Sequence, residues 1–96
     1  MYFEWDNEKE IINIDKHGIS FSQASRVFGD PKTIYLADPD HSEGEFREIA
    51  LGKVENMTIA VVIFVERSIN SQEIMRIVSA RRATKNEEAQ YFSNEI

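Results

Sequence analysis

Hydrophobic and polar positions follow three regimes along the chain. Residues 6–28 carry a helical period. Asp6 can cap a first helix, Glu8 and Glu10 lie in its first turn beside the positive end of the dipole, and Gly18 follows Lys16 and His17 as a stop. Ile11 and Ile14, with Ile12 beside them, supply one apolar side. A second helix opens on a capping box of Ser20 and Gln23, with Ile19 and Ala24 placed to staple across it. Phe21, Ala24, Val27 and Phe28 recur at helical spacing until Gly29-Asp30-Pro31 ends the pattern.

From residue 33 the period shortens to two, and strands are predicted at 33–37, 46–54, 57–66 and 73–80. Between them lie an acidic loop at 38–45, a tight hairpin turn at Glu55-Asn56 and a longer hairpin loop at 67–72. In 59–65 both alternating sets are apolar, the mark of a central strand covered on both faces. In the last strand Ile74, Arg76 and Val78 alternate with Met75, Ile77 and Ser79. Thr84 and Glu87 then form a capping box for a terminal helix through Ala89, Tyr91 and Phe92. Residues 2–5 can add a short strand. The expected class is α+β: two N-terminal helices packed on a four-stranded twisted antiparallel sheet, with a C-terminal helix.

The 96 residues are read as one domain, 1–96, with one core. Absence of cysteine excludes a disulfide framework, a thiolate zinc site and a cysteine nucleophile. The longest apolar run, 59–65, falls far short of the roughly 20 residues of a spanning helix. The N-terminus lacks the basic stretch of a signal peptide, and a cytoplasmic location is expected. A net charge of -6 opposes nonspecific binding to a polyanion unless the cations are segregated. Residues 1–48 hold eleven acids and five bases, 49–96 six of each, and residues 67–85 hold five bases against Glu73 alone. A two-faced molecule is expected, with modest and strongly salt-sensitive affinity for nucleic acid.

Candidate chemistry is sparse. The loop 38–45 alternates acids like the start of a calcium-binding EF-hand loop. It has Glu43 where the glycine belongs and Ile49 where the bidentate Glu belongs, which leaves a solvated acidic turn, or a weak divalent-ion site at Asp40, His41 and Glu45. Four scattered glycines build no phosphate loop, and the G-x-S-x-G and H-E-x-x-H patterns are absent. What remains is the set Arg47, Arg67, Arg76, Arg81, Arg82 and Lys85, with Lys16 and His17. Arginine forks match phosphate oxygens bidentately, so several facing one groove would bind a phosphodiester. RNA carries its own nucleophile, the 2′-OH, and cleavage then needs a base, a cation for the developing charge and an acid for the leaving oxygen. Ordinary roles compete. His17 and Lys16 suit a helix C-terminus, His41 a solvated turn, and Arg76 a cross-strand pair with Glu48 or Glu66. At least one of Arg81 and Arg82 reads as plain surface, and Tyr91 as core or acid.

The motifs together resemble the BrnT family of ribonuclease toxins of type II toxin-antitoxin modules. They run through Phe3-Glu-Trp-Asp6, Lys9, Asn13, Lys16-His-Gly-Ile-Ser-Phe21, Val27-Phe28, Asp30-Pro31, Asp40-His-Ser42, Glu45 and Arg47. They continue through Gly52, Glu66-Arg67, Arg76-Ile77, Ser79-Ala-Arg81, Ala83-Thr84, Glu87 and Tyr91. The resemblance implies a RelE/ParE-like fold and a metal-independent RNA endonuclease without cofactor. It also implies a BrnA-like ribbon-helix-helix antitoxin, in a heterotetramer that meets promoter DNA through the antitoxin. Family positions that fall on plausible chemistry are Lys16, His17, His41, Glu45, Arg47, Arg67, Arg76, Arg81 and Tyr91. Catalytic roles are expected of His17, Arg67, Arg76, Arg81, His41 and Tyr91, and, with the local cations Arg82 and Lys85 added, substrate binding of Lys16, Arg47, Arg82 and Lys85. Phe46 departs from an expected acid, and the stretch 69–73 is longer and more polar than a minimal turn. An inactive toxin-like module acting as co-repressor with its antitoxin is the competing reading.

Overall fold

The computed structural model describes residues 1–38 and 45–94. Strand β1 (Tyr2–Glu4) precedes helix α1 (Asn7–His17), the short helix α2 (Phe21–Ala24) and a 3₁₀ segment, Ser25–Gly29. Strands β2 (Ile34–Ala37), β3 (Glu48–Glu55), β4 (Thr58–Ile69) and β5 (Gln72–Arg82) follow, and α3 (Lys85–Ser93) closes the described chain. The five strands lie in the order β1-β5-β4-β3-β2. The expected α+β class holds, but the sheet is mixed rather than four-stranded and antiparallel. β1 joins it parallel to β5, with Tyr2, Phe3 and Glu4 opposite Ile74, Met75 and Arg76. Three residues are too few to show a period, which is why the sequence only hints at this strand.

The caps follow the sequence closely. Asp6 accepts from the amides of Glu8 and Lys9, Gly18 ends α1 at φ 69°, and both capping boxes, Ser20/Gln23 and Thr84/Glu87, are formed. Two other expectations need correction. The second helix keeps only Phe21–Ala24 as α and tightens into 3₁₀ from Ser25, ahead of Gly29 and Pro31. The expected loop 67–72 is a two-residue turn: Asn70 and Ser71 take φ 52° and 66°, the mirror-image geometry that suits a hairpin, so β4 and β5 run on to Ile69 and Gln72.

α1 is the larger surprise. Ile11, Ile12 and Ile14 are 66, 59 and 45 % exposed, whereas Asn13 is 5 % exposed and forms the buried centre of the helix. The cause lies in the sheet. β1 covers β5 only as far as Arg76, so the backbone of Ala80 meets α1 instead of a strand. The Asn13 side chain takes the strand's place: its Nδ2 donates to the Ala80 carbonyl (2.8 Å) and the Ile19 carbonyl (3.0 Å), and its Oδ1 accepts from the Ala80 amide (3.1 Å). A buried edge needs these partners more than the helix needs to bury isoleucine.

Two apolar layers sandwich the sheet. Behind it, Ile19, Phe21, Ala24 and Val27 pack on Ala50, Val62, Phe64, Met75, Ile77 and Ala80, with Trp5 and Phe28 at the margin. Phe28 meets Phe64 edge-on at 4.9 Å. In front, Tyr91 of α3 packs with Leu51, Ile59 and Val61. Gly52 sits where a Cβ would collide with Thr33 Oγ1, which is held by its hydrogen bond to the Val27 carbonyl.

Candidate active site

A strand turns successive side chains to opposite faces, so Arg76 and Arg81, five apart, belong on opposite faces of a regular β5. They share one. Ile63 pairs with Ser79 but Phe64 pairs with Ile77, leaving Val78 as an extra residue in a bulge. The bulge resets the alternation. Met75, Ile77 and Ala80 all enter the rear core, while Arg76, opposite Val65, and Arg81, opposite Val61, face front. Arg67, opposite Ile74, joins them from β4. One inserted residue thus puts Arg81 on the same face as Arg67 and Arg76.

Each is differently engaged. Arg67 and Arg76 converge on Glu4 of β1: Arg67 Nη1 lies 3.7 Å and Arg76 Nη1 3.6 Å from its Oε1, and Arg67 Nη2 lies 3.8 Å from Glu45 Oε2. These are long pairs, outside hydrogen-bond range, so both forks keep donors for another anion. Glu4 Oε1 is itself buried and accepts no hydrogen bond. Arg81 is held tightly, donating 2.8 and 3.0 Å bonds to the two oxygens of Glu87. These bonds raise the Arg81 pKa and, with the Thr84 cap, bring Glu87 down to about 2.

The charge expectation changes accordingly. Cations and anions do not separate into two faces, because Glu4 and Glu45 from the acidic half and Glu87 of α3 lie on the arginines. Arg76 takes Glu4 as its partner instead of Glu48 or Glu66. Glu4 falls within the Phe3-Glu-Trp-Asp6 motif but draws no chemical role from the sequence, since its contacts depend on a parallel strand pairing that no local pattern announces.

The other candidates scatter. Lys16 and His17, in the last turn of α1, line a cleft of about 210 Å³ with Lys9, Ile12, Asn13, Val78 and Ser79. Ser79, opposite Ile63, lies between Arg76 and Arg81 along β5, and none of the three arginines lines this cleft. Tyr91 is 2 % exposed in the front core, and its hydroxyl donates to Asp30 Oδ2 at 2.7 Å. Burial opposes ionisation of Asp30, but the Tyr91 hydroxyl and the amides of Lys53 and Lys32 outweigh it and hold the carboxyl below its ordinary value. Arg82, opposite Ala60, projects to the rear face, and Lys85 opens α3 at the surface. Arg47 precedes β3, its carbonyl accepting from the Asp38 amide at 3.0 Å. His41 and Asp40 lie outside the described residues, among which no three His, Asp or Glu side chains converge as metal ligands.

The family model of the ribonuclease toxin BrnT, of type II toxin-antitoxin systems, matches residues 5–87. The chain belongs to the BrnT family. Its fold is similar to the crystal structure of the Brucella abortus ribonuclease toxin BrnT, with a TM-score of 0.65 and 24 % identity over 88 % of this chain and 99 % of that one. No curated protein sequence matches the chain. Membership makes this a toxin of a ribonuclease family whose modules include an antitoxin partner. Among the described residues no helix is long and apolar enough to cross a membrane.

Proposed function

We propose that this BrnT-family toxin is a metal-independent RNA endonuclease of the cytoplasm that inhibits translation and is neutralised by a BrnA-like ribbon-helix-helix antitoxin. The observation that supports it most is the convergence of Arg67 and Arg76, with Arg81 on the same sheet face. Two open guanidinium forks can grip one phosphodiester and stabilise the charge that builds on its oxygens. The substrate's 2′-oxygen attacks phosphorus, the bond to the 5′-oxygen breaks, and a 2′,3′-cyclic phosphate and a 5′-hydroxyl result. Among the described residues His17, in a cleft that Ser79 of β5 also lines, is the candidate acid for the leaving oxygen. Lys16, its neighbour in the last turn of α1, is the candidate to hold a flanking phosphate.

The test is incubation of purified protein with total RNA in EDTA. Cleavage is expected to survive chelation, to yield cyclic phosphate ends, and to fall by about a hundredfold or more in Arg76→Ala. Cleavage abolished by EDTA would point to a metal-dependent nuclease. Folded protein that cuts no RNA yet binds its antitoxin and represses would establish the co-repressor reading instead.

A further inference from the structure

Among the groups at the arginine face, the geometry points to Glu4 as the proton acceptor for the RNA 2′-hydroxyl. This assignment rests on the endonuclease reading and adds the group that the reading lacks. A base must be a proton acceptor within reach of the scissile phosphate, held in place before substrate arrives. Arg67 and Arg76 are the phosphate donors, and the Glu4 carboxylate lies between them, within 3.7 Å of both. Its position is fixed from the backbone outward, because Glu4 pairs in register with Arg76 across the β1–β5 ladder.

The two oxygens differ. Oε1 is buried against the arginines and accepts no hydrogen bond, an acceptor left open at a site where buried acceptors are ordinarily satisfied. The side chain as a whole is 37 % exposed, so its accessible surface lies on its other atoms. A phosphodiester held by the two forks would bring its adjacent 2′-hydroxyl up to the carboxylate between them. The charged groups around Glu4 are Arg67 of β4 and Arg76 of β5, with Glu45 on the far side of Arg67. In the balanced step Glu4 takes the 2′-proton, the O2′–P bond forms, the P–O5′ bond breaks, and O5′ takes a proton from the His17 imidazolium. No oxidant, metal or cofactor enters.

Glu4→Gln keeps the shape and removes the basicity. Three readouts are taken with wild-type protein and the Glu4→Gln and Glu4→Asp variants: single-turnover cleavage, the pH–rate profile, and binding of a non-cleavable 2′-O-methyl RNA. Cleavage by Glu4→Gln is expected to fall by roughly a hundred- to ten-thousandfold and to lose the acidic limb of the profile. Glu4→Asp retains that limb. The 2′-O-methyl RNA should bind Glu4→Gln as tightly as wild type or more so, because a competing anion has left the forks. Unchanged cleavage in Glu4→Gln, or binding and cleavage lost together, overturns the assignment while leaving the endonuclease reading intact. Absence of cleavage in the wild type removes both.

Discussion

Glu87 is bonded three ways at once: its two oxygens accept from Arg81 at 2.8 and 3.0 Å, and Oε1 also accepts from the Thr84 amide at 2.8 Å. The cap of α3 and the anchoring of Arg81 are therefore one interaction. It ties the helix that covers the front core to the strand that carries Arg76 and Arg81.

Removing that carboxylate should cost stability in a pH-dependent way. A folded pKa of about 2 against an ordinary 4.5 is a depression, so the stabilisation is present above about 4.5 and is lost as pH falls toward about 2. Exposure of the pair, 43 % for Arg81 and 27 % for Glu87, weakens the shift's full value through solvent screening. Glu87→Gln should cost about 1–2 kcal/mol at neutral pH. Denaturant titrations should show wild type and variant converging on acidification, and a difference that persists unchanged would refute the linkage.

Asn13→Ala would strand the amide and carbonyl of Ala80 and lose a donor to Ile19. The expected loss is about 3 kcal/mol, read from urea midpoints. Asn13→Asp keeps the acceptor but sets a carboxylate against two carbonyls. It should be less stable at about pH 7 than at about pH 4, where a protonated acid can donate.

Gly52→Ala should destabilise by about 1–3 kcal/mol, because the new Cβ meets Thr33, which cannot swing away without breaking its bond to Val27. In a Thr33→Ala background the same change should cost measurably less. Additive losses would mean that the contact is not the cause.

Tyr91→Phe keeps the ring in the front core and removes the bond to Asp30. Stability should fall by about 1 kcal/mol while RNA cleavage stays within about twofold of wild type. A large loss of cleavage with folding unchanged would restore Tyr91 to the catalytic set.

Local chemistry announces itself in the sequence, and long-range pairing does not. Asp6, Gly18, Ser20/Gln23 and Thr84/Glu87 mark four helix boundaries because caps are built from neighbours. Arg67, Arg76 and Arg81 are readable as cations, but the alternation in β5 assigns Arg81 to the wrong face until the bulge at Val78 is known. Isoleucine content suggests that α1 buries Ile11 and Ile14. Only the unpaired edge at Ala80 explains why Asn13 goes in and they stay out. Glu4 is hidden for the same reason: its meaning comes from Arg67 and Arg76, more than sixty residues away.

The carboxylates on the arginine face act as built-in counterions. Binding a single-stranded phosphate to a bare arginine releases condensed ions and gives a log–log salt slope of about -0.7 per contact, so three bare arginines would give about -2. If RNA binds this face as proposed, it would compete with Glu4, Glu45 and Glu87, charges that stay attached to the protein. The slope should be shallower than -2, against the strong dependence that the charge pattern alone suggests, and Glu4→Gln should steepen the discrimination against salt. Polyanions that only offer charge density gain little from such a surface. On the proposed reading, a ligand at Arg81 would have to outcompete the Glu87 carboxylate, and one at Arg67 and Arg76 would have to use the donors that Glu4 and Glu45 leave open. The toxin's own acids would then be the first filter on what it grips.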